Sequence, residues 1–157
     1  MNVIGNGILA LLRNPAQLAS LRAEPSGLSS AVEEFLRFES PLNIATTRFT
    51  TVPIRIGGVE VPADEFVMIA LLAANHDSDQ FDAPERLDVT RKPNAHLAFG
   101  HGIHYCLGAP LARLEGEVAL GRLLARFETI TLDDTATLQD RNSTLMRGLQ
   151  ALPVRLD

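Results

Sequence analysis

Residues Phe99 to Gly108, "FGHGIHYCLG", hold three glycines, two histidines and the only cysteine of the chain. The stretch runs directly into "APLARLEGEVALGRLLARF", where Leu111, Leu114, Val118, Leu120, Leu123 and Leu124 recur at helical spacing. The chain must therefore make a tight turn and start a helix just after the cysteine. Gly100, Gly102 and Gly108 permit such a turn and a close approach of backbone or of a flat ligand. Cys106 falls at the N-terminal end of the expected helix, with Pro110 in the first turn. Free backbone N–H groups there are expected to point back at the sulfur and favour its ionised form.

Three readings of Cys106 follow. A lone cysteine is ordinarily a small buried hydrophobe. Counted with His96, His101 and His104, it gives four zinc ligands, but a second cysteine is missing and the flanks do not form a zinc knuckle. A thiolate shielded by Phe99 and served by backbone donors suits a single axial bond to haem iron.

The rest of the chain supplies the setting. Residues 1–12 read as a mostly apolar helix end. "NPAQLASLRAEP" places Asn14 at a cap and Pro15 at the first helical position, with Leu18 and Leu21 on one face. "SGLSSAVEEFLRFES" offers Ser29 or Ser30 as a cap, puts Val32, Phe35 and Leu36 on one face, and ends at Pro41. From Thr46 to Leu71 the pattern becomes β-branched, with turns at Gly57-Gly58 and at Pro62-Ala63-Asp64-Glu65, which predicts short antiparallel strands. "LLAANHDSDQFDAPERLDVTRKP" predicts a short helix followed by irregular chain. The tail alternates weakly and reads as strands. The sum is an α+β fold of helices and small antiparallel sheets, not a βαβ series.

At 157 residues the chain is long enough for one domain with a real core. A net charge of −5 does not suggest a nucleic-acid surface. The apolar start "VIGNGILALL" is too short to span a bilayer and lacks a basic leader, so no membrane partner is expected. One cysteine rules out an internal disulfide and fits a cytoplasmic location.

"FGHGIHYCLG" resembles the haem-binding signature of the cytochrome P-450 family, Phe-Gly-x-Gly-x-His-x-Cys-x-Gly, at every fixed position. Upstream, "EFLR" resembles the family's Glu-x-x-Arg pair, as Glu34 and Arg37, and "FDAPERLDVTR" the segment that supplies a third member, Arg86. "NGILALLRNP", "GVEVPADEFV" and "RGLQALPVRL" also read like bacterial, soluble members.

The resemblance implies haem b (iron protoporphyrin) as cofactor, with Cys106 as axial ligand and Phe99, Gly100 and Gly108 lining the haem site. It implies Arg48 and His104 as partners of the propionates. Glu34, Arg37 and Arg86 would form a buried network beneath the loop. Leu42, Ile44 and Ala45, in "LNIAT", would line the pocket for a small organic substrate, with Met146 reaching the same cavity. The implied function is a monooxygenase that inserts one oxygen atom of dioxygen into that substrate, with electrons from a ferredoxin or flavoprotein. The family's acid–alcohol pentad on a long central helix has no counterpart here, so no catalytic residue is named. Residues 1–157 are expected to be the C-terminal haem-binding region only. Leu9, Leu11, Leu12 and "LNIAT" would then be exposed apolar surface. The alternative is a non-catalytic haem-binding or partner-binding remnant.

Overall fold

A computed structural model describes residues 2–157. Three helices build the core: α1 (Asn2–Arg13), α3 (Leu28–Phe38) and α5 (Ala109–Arg126), with α2 (Pro15–Ala23) between the first two. Val3, Leu11, Val32, Phe35, Leu36 and Leu120 meet there, all buried. The helices approach closely. A Cβ on Gly116 of α5 would stand 3.3 Å from Val32 Cγ1 of α3, and one on Gly7 of α1 would stand 2.8 Å from Phe35 Cδ2.

The local signals act in partly unexpected ways. Asn14 sits at the cap position with Pro15 behind it, but its side chain bonds back to Ala10 O at 2.8 Å, so it closes α1 instead of capping α2. Neither Ser29 nor Ser30 caps α3. A single turn of 3₁₀ helix at Pro25–Gly27 already fixes the chain, and both serines lie inside the helix, which caps at Gly27. The expected apolar stripe of α5 also divides. Leu120 is fully buried, whereas Leu111, Leu114 and Val118 are more than half exposed, because the face of α5 that packs on the core carries Ala109, Gly116 and Leu120, with Leu124 at its edge. Leu9 and Leu11, expected at the surface, are buried, Leu11 in the helical core and Leu9 beside the tail near Leu138 and Leu149. Exposed apolar side chains lie instead on α5, on the cysteine loop and along the strand region, where Phe49, Val59, Phe66 and Met68 stand open.

Three two-stranded antiparallel sheets surround this core. β1 (Arg48–Phe49) pairs with β4 (Phe66–Val67), Arg48 facing Val67. β2 (Ile54–Ile56) and β3 (Val59–Val61) form a hairpin through Gly57-Gly58. β5 (Ile130–Leu132) pairs with β6 (Val154–Leu156). A short α4 (Leu71–Ala74) follows β4. The segment before β1 is laced to its surroundings by backbone bonds: Asn43 N–H to Leu145 O, Ala45 N–H to Ile69 O and Leu72 N–H to Asn43 O. This lacing sets residues 42–45 beside the cysteine loop. No helix among the described residues is long and apolar enough to cross a membrane.

Candidate functional site

Helix α3 carries two adjacent glutamates, and adjacent helical residues point about 100° apart. Glu34 therefore faces the interior and Glu33 faces α5. Glu34 and Arg37 are both completely buried and form a two-point pair, Nε to Oε2 and Nη2 to Oε1, each 2.8 Å. Oε1 also accepts the Asp88 N–H at 3.0 Å, and Oε2 the Asn94 amide at 3.1 Å. The remaining donors of Arg37 reach the carbonyls of Asn75 and Pro84, both at 2.9 Å. Every charge removed from water is thus matched at close range, the condition under which a buried ion pair is tolerated.

The third cation is Arg91, not Arg86. Arg91 Nε lies 3.2 Å from Glu34 Oε2, with its side chain nearly buried. Arg86 is exposed and contributes only its carbonyl, which accepts from Arg37 and from Arg91. Both arginines belong to the one irregular stretch "ERLDVTR". Its path turns the main chain of residue 86 inward, leaving the side-chain position to residue 91.

The network reaches the cysteine loop through Asn75. Arg37 holds the Asn75 carbonyl, and Asn75 Oδ1 accepts the Leu97 N–H at 2.7 Å. From Leu97 the chain enters the loop. Gly100 (φ +75°) and Gly102 (φ +69°) adopt left-handed conformations open to glycine and strained for other residues. The Cys106 N–H donates to Phe99 O at 2.9 Å and closes the loop. Gly108 has an ordinary φ of −82°. A Cβ there would sit 3.7 Å from Cys106 Sγ, so glycine leaves the flank of the sulfur open. Cys106 is exposed, which removes the reading of a buried structural thiol. The backbone donors do not reach the sulfur as expected. The Ala109 N–H is taken by the Cys106 carbonyl, and no hydrogen bond to Sγ occurs among the described residues.

An apolar cleft of about 450 Å³ opens in front of this loop. Cys106, His104, Arg48, Phe99, Gly100, Leu42 and Ala45 all line it, as does His101. Ile44, Gly108 and Met146 do not. Met146 instead forms a backbone bridge to Leu42 outside the cleft. Arg48 Nη1 donates to Thr46 O at 2.6 Å, and no carboxylate pairs with the guanidinium among the described residues. His96 is drawn away from Cys106. Its Nε2 lies 3.0 Å from Glu33 Oε2 and its Nδ1 accepts the Ala98 N–H, so the four candidate zinc ligands do not converge.

Sequence reasoning missed Glu33, Arg91 and Arg113. Arg113 forks onto Glu33 through Nε (2.6 Å) and Nη2 (2.9 Å). Burial alone would raise the Glu33 pKa. Hydrogen bonds from His96 and Arg113, with the Arg113 charge, outweigh it and hold the carboxyl at about 2. The doubled acid in "VEEFL" was the available signal, since only one of two adjacent helical glutamates can serve the interior pair.

A family model described as Cytochrome P450 matches residues 26–156. The chain is 52% identical to "Cytochrome P450 107B1" of Saccharopolyspora erythraea over 99% of its own length and 38% of that protein's. It is 53% identical to "Vitamin D(3) 25-hydroxylase" of Pseudonocardia autotrophica, covering 99% of this chain and 39% of that one. Among solved structures, the tirandamycin C-bound P450 monooxygenase TamI superposes with a TM-score of 0.95 at 54% identity, over 99% of this chain and 39% of TamI. The chain thus spans about two fifths of the length of the relatives it matches.

Proposed function

The chain belongs to the cytochrome P450 family, and from that premise we propose that residues 1–157 are the haem-thiolate-binding part of such a protein. The observation that carries the reading is the cleft: one soft sulfur donor, apolar walls and three basic side chains, Arg48, His101 and His104, share a single lining. That donor set fits haem b, a flat apolar ring with one iron and two propionates. The open flank beside Cys106 left by Gly108 agrees with it.

In this reading Cys106 Sγ would hold the haem iron. Arg48 offers a fork of donors suited to a carboxylate, and His104 would offer a second hydrogen-bond donor. Leu42 and Ala45 form the apolar wall met by a small organic substrate. The Glu34–Arg37–Arg91 network fixes the chain entering the loop at Leu97. Bound haem supplies the iron at which dioxygen is activated, for insertion of one oxygen atom into the substrate with electrons from a ferredoxin or flavoprotein. The protein would work in the cytoplasm.

A second reading is favoured by one feature of the same cleft. No carboxylic acid side chain lines it among the described residues, so a carboxyl group for ordered proton delivery is not part of this lining. A haem-binding or partner-binding remnant needs no such group. Ile103 and Leu107 stand almost fully exposed beside the stripe of α5, which is apolar surface of the kind that partners cover.

Turnover of a generic hydroxylation substrate by the haem-loaded chain separates the two. The expected result is slow peroxide-driven oxidation with haem bleaching and little reductase-driven turnover. Coupled hydroxylation with a surrogate ferredoxin system would exclude the remnant, and failure to take up haem would overturn every haem-binding reading and leave only a partner-binding remnant.

A further inference from the structure

We propose that Glu33 is a positioning residue for the cysteine loop, acting through Arg113. The assignment rests on the reading of Cys106 given above, and it goes beyond that reading by naming what holds the loop from the α5 side.

Few side-chain hydrogen bonds hold this loop. Within residues 99–108 the chain is closed by backbone bonds, among them Gly100 N–H to Leu97 O, Tyr105 N–H to Gly102 O and Cys106 N–H to Phe99 O. Among the described residues, one side-chain hydrogen bond reaches this stretch: Arg113 Nη1 to Tyr105 Oη, at 3.0 Å. The same guanidinium lies over the Phe99 ring, 4.7 Å from its centroid. Phe99 and Tyr105 also meet edge to face at 6.2 Å. One cation therefore grips both ends of the turn that presents Cys106.

A guanidinium on a flexible stem grips only if it is itself oriented. Glu33 does this with both oxygens, Oε1 on Arg113 Nε and Oε2 on Nη2, leaving Nη1 aimed at Tyr105. Glu33 is steadied in turn by His96. The Ala98 N–H donates to His96 Nδ1, so the ring proton is on Nε2 and points at Glu33 Oε2. The His96 side chain is almost wholly buried. Glu33 touches neither the cleft nor Cys106, so its role is exercised through Arg113, which of its two side-chain partners is the one that hydrogen-bonds a residue of the loop.

Hydrogen exchange on the full chain without haem tests this. In Glu33→Gln the amides of Gly100, Tyr105 and Cys106 should exchange about tenfold faster, while those of α1 and the centre of α3 keep their protection. Arg113→Lys, which keeps the charge and loses the fork, should do the same, and the double variant should be no faster than either single one. Glu33→Asp should recover part of the protection. Unchanged loop amides, a loss spread evenly over the molecule, or additive effects of the two substitutions would overturn the proposal. The carbon monoxide difference spectrum of the haem-loaded variants is a separate arm. Glu33→Gln should show a reduced thiolate-type share relative to the unsubstituted chain, and an unchanged share would also count against the proposal. If the unsubstituted chain gives no thiolate spectrum, the haem reading fails, while the exchange data still decide what Glu33 does to the loop.

Discussion

Glu34 and Cys106 face opposite conditions. Glu34 has no exposure and is satisfied by two arginines, a backbone N–H and an amide. Cys106 is exposed, with no hydrogen bond to its sulfur among the described residues. The two regions are joined by a few bonds through Asn75 and Leu97. The comparison teaches where this chain invests its stability. It completes the support beneath the loop with its own groups, and leaves the face of the loop as apolar wall and open sulfur.

The largest expected effect is on the support side. Arg37→Ala leaves Glu34 buried with its main partner gone and should cost about 3–5 kcal/mol in urea unfolding. Cys106→Ala in the haem-free chain should change stability by less than about 0.5 kcal/mol. Comparable costs for the two would break the contrast. Arg91→Met should destabilise by about 1.5–3 kcal/mol, the range for a hydrogen bond to a charged group. Arg86→Ala should stay within about 0.5 kcal/mol, and the reverse order would reinstate Arg86 as the third cation.

Acid sharpens the contrast further. The folded pKa of Glu33 is depressed from an ordinary 4.5 to about 2. Its contribution is therefore fully present above pH 4.5 and is lost as pH falls toward 2. Glu33→Gln should flatten the acid limb of stability in that window, and an unchanged slope there would contradict the carboxylate's role. The smallest effect is expected on the open face. Leu111→Ser with Leu114→Ser should leave unfolding within about 0.5 kcal/mol per site and reduce self-association in sedimentation. A large loss of stability would mean that this stripe is packed.

The fold was legible where one signal dominated. Val32, Phe35 and Leu36 went to the core on their spacing, Gly57-Gly58 turned the hairpin, and the glycines ahead of Cys106 made the tight loop. Spacing failed for Leu111, Leu114 and Val118, because periodicity tells which residues share a face but not whether anything packs on it. The cleft was legible as a set of residues. Leu42, Ala45, Arg48, Phe99, Gly100, His104 and Cys106 gather there, from segments far apart in the chain. Ile44 is not part of it, because the chain bends at residues 43, 44 and 46 and no strand alternation fixes which way each side chain points. The choice of Arg91 over Arg86 was not legible. It depends on the path of an irregular segment, where no periodicity relates position to direction.

The central claim is that this chain presents Cys106 as the ligand of haem iron from a loop it supports by itself. The most direct measurement is the reduced carbon monoxide difference spectrum of the purified 157-residue chain loaded with haem, beside Cys106→Ala. The account predicts a thiolate-type spectrum for the unsubstituted chain and its loss in Cys106→Ala. An identical spectrum in both, or haem uptake without thiolate character in the unsubstituted chain, would contradict it.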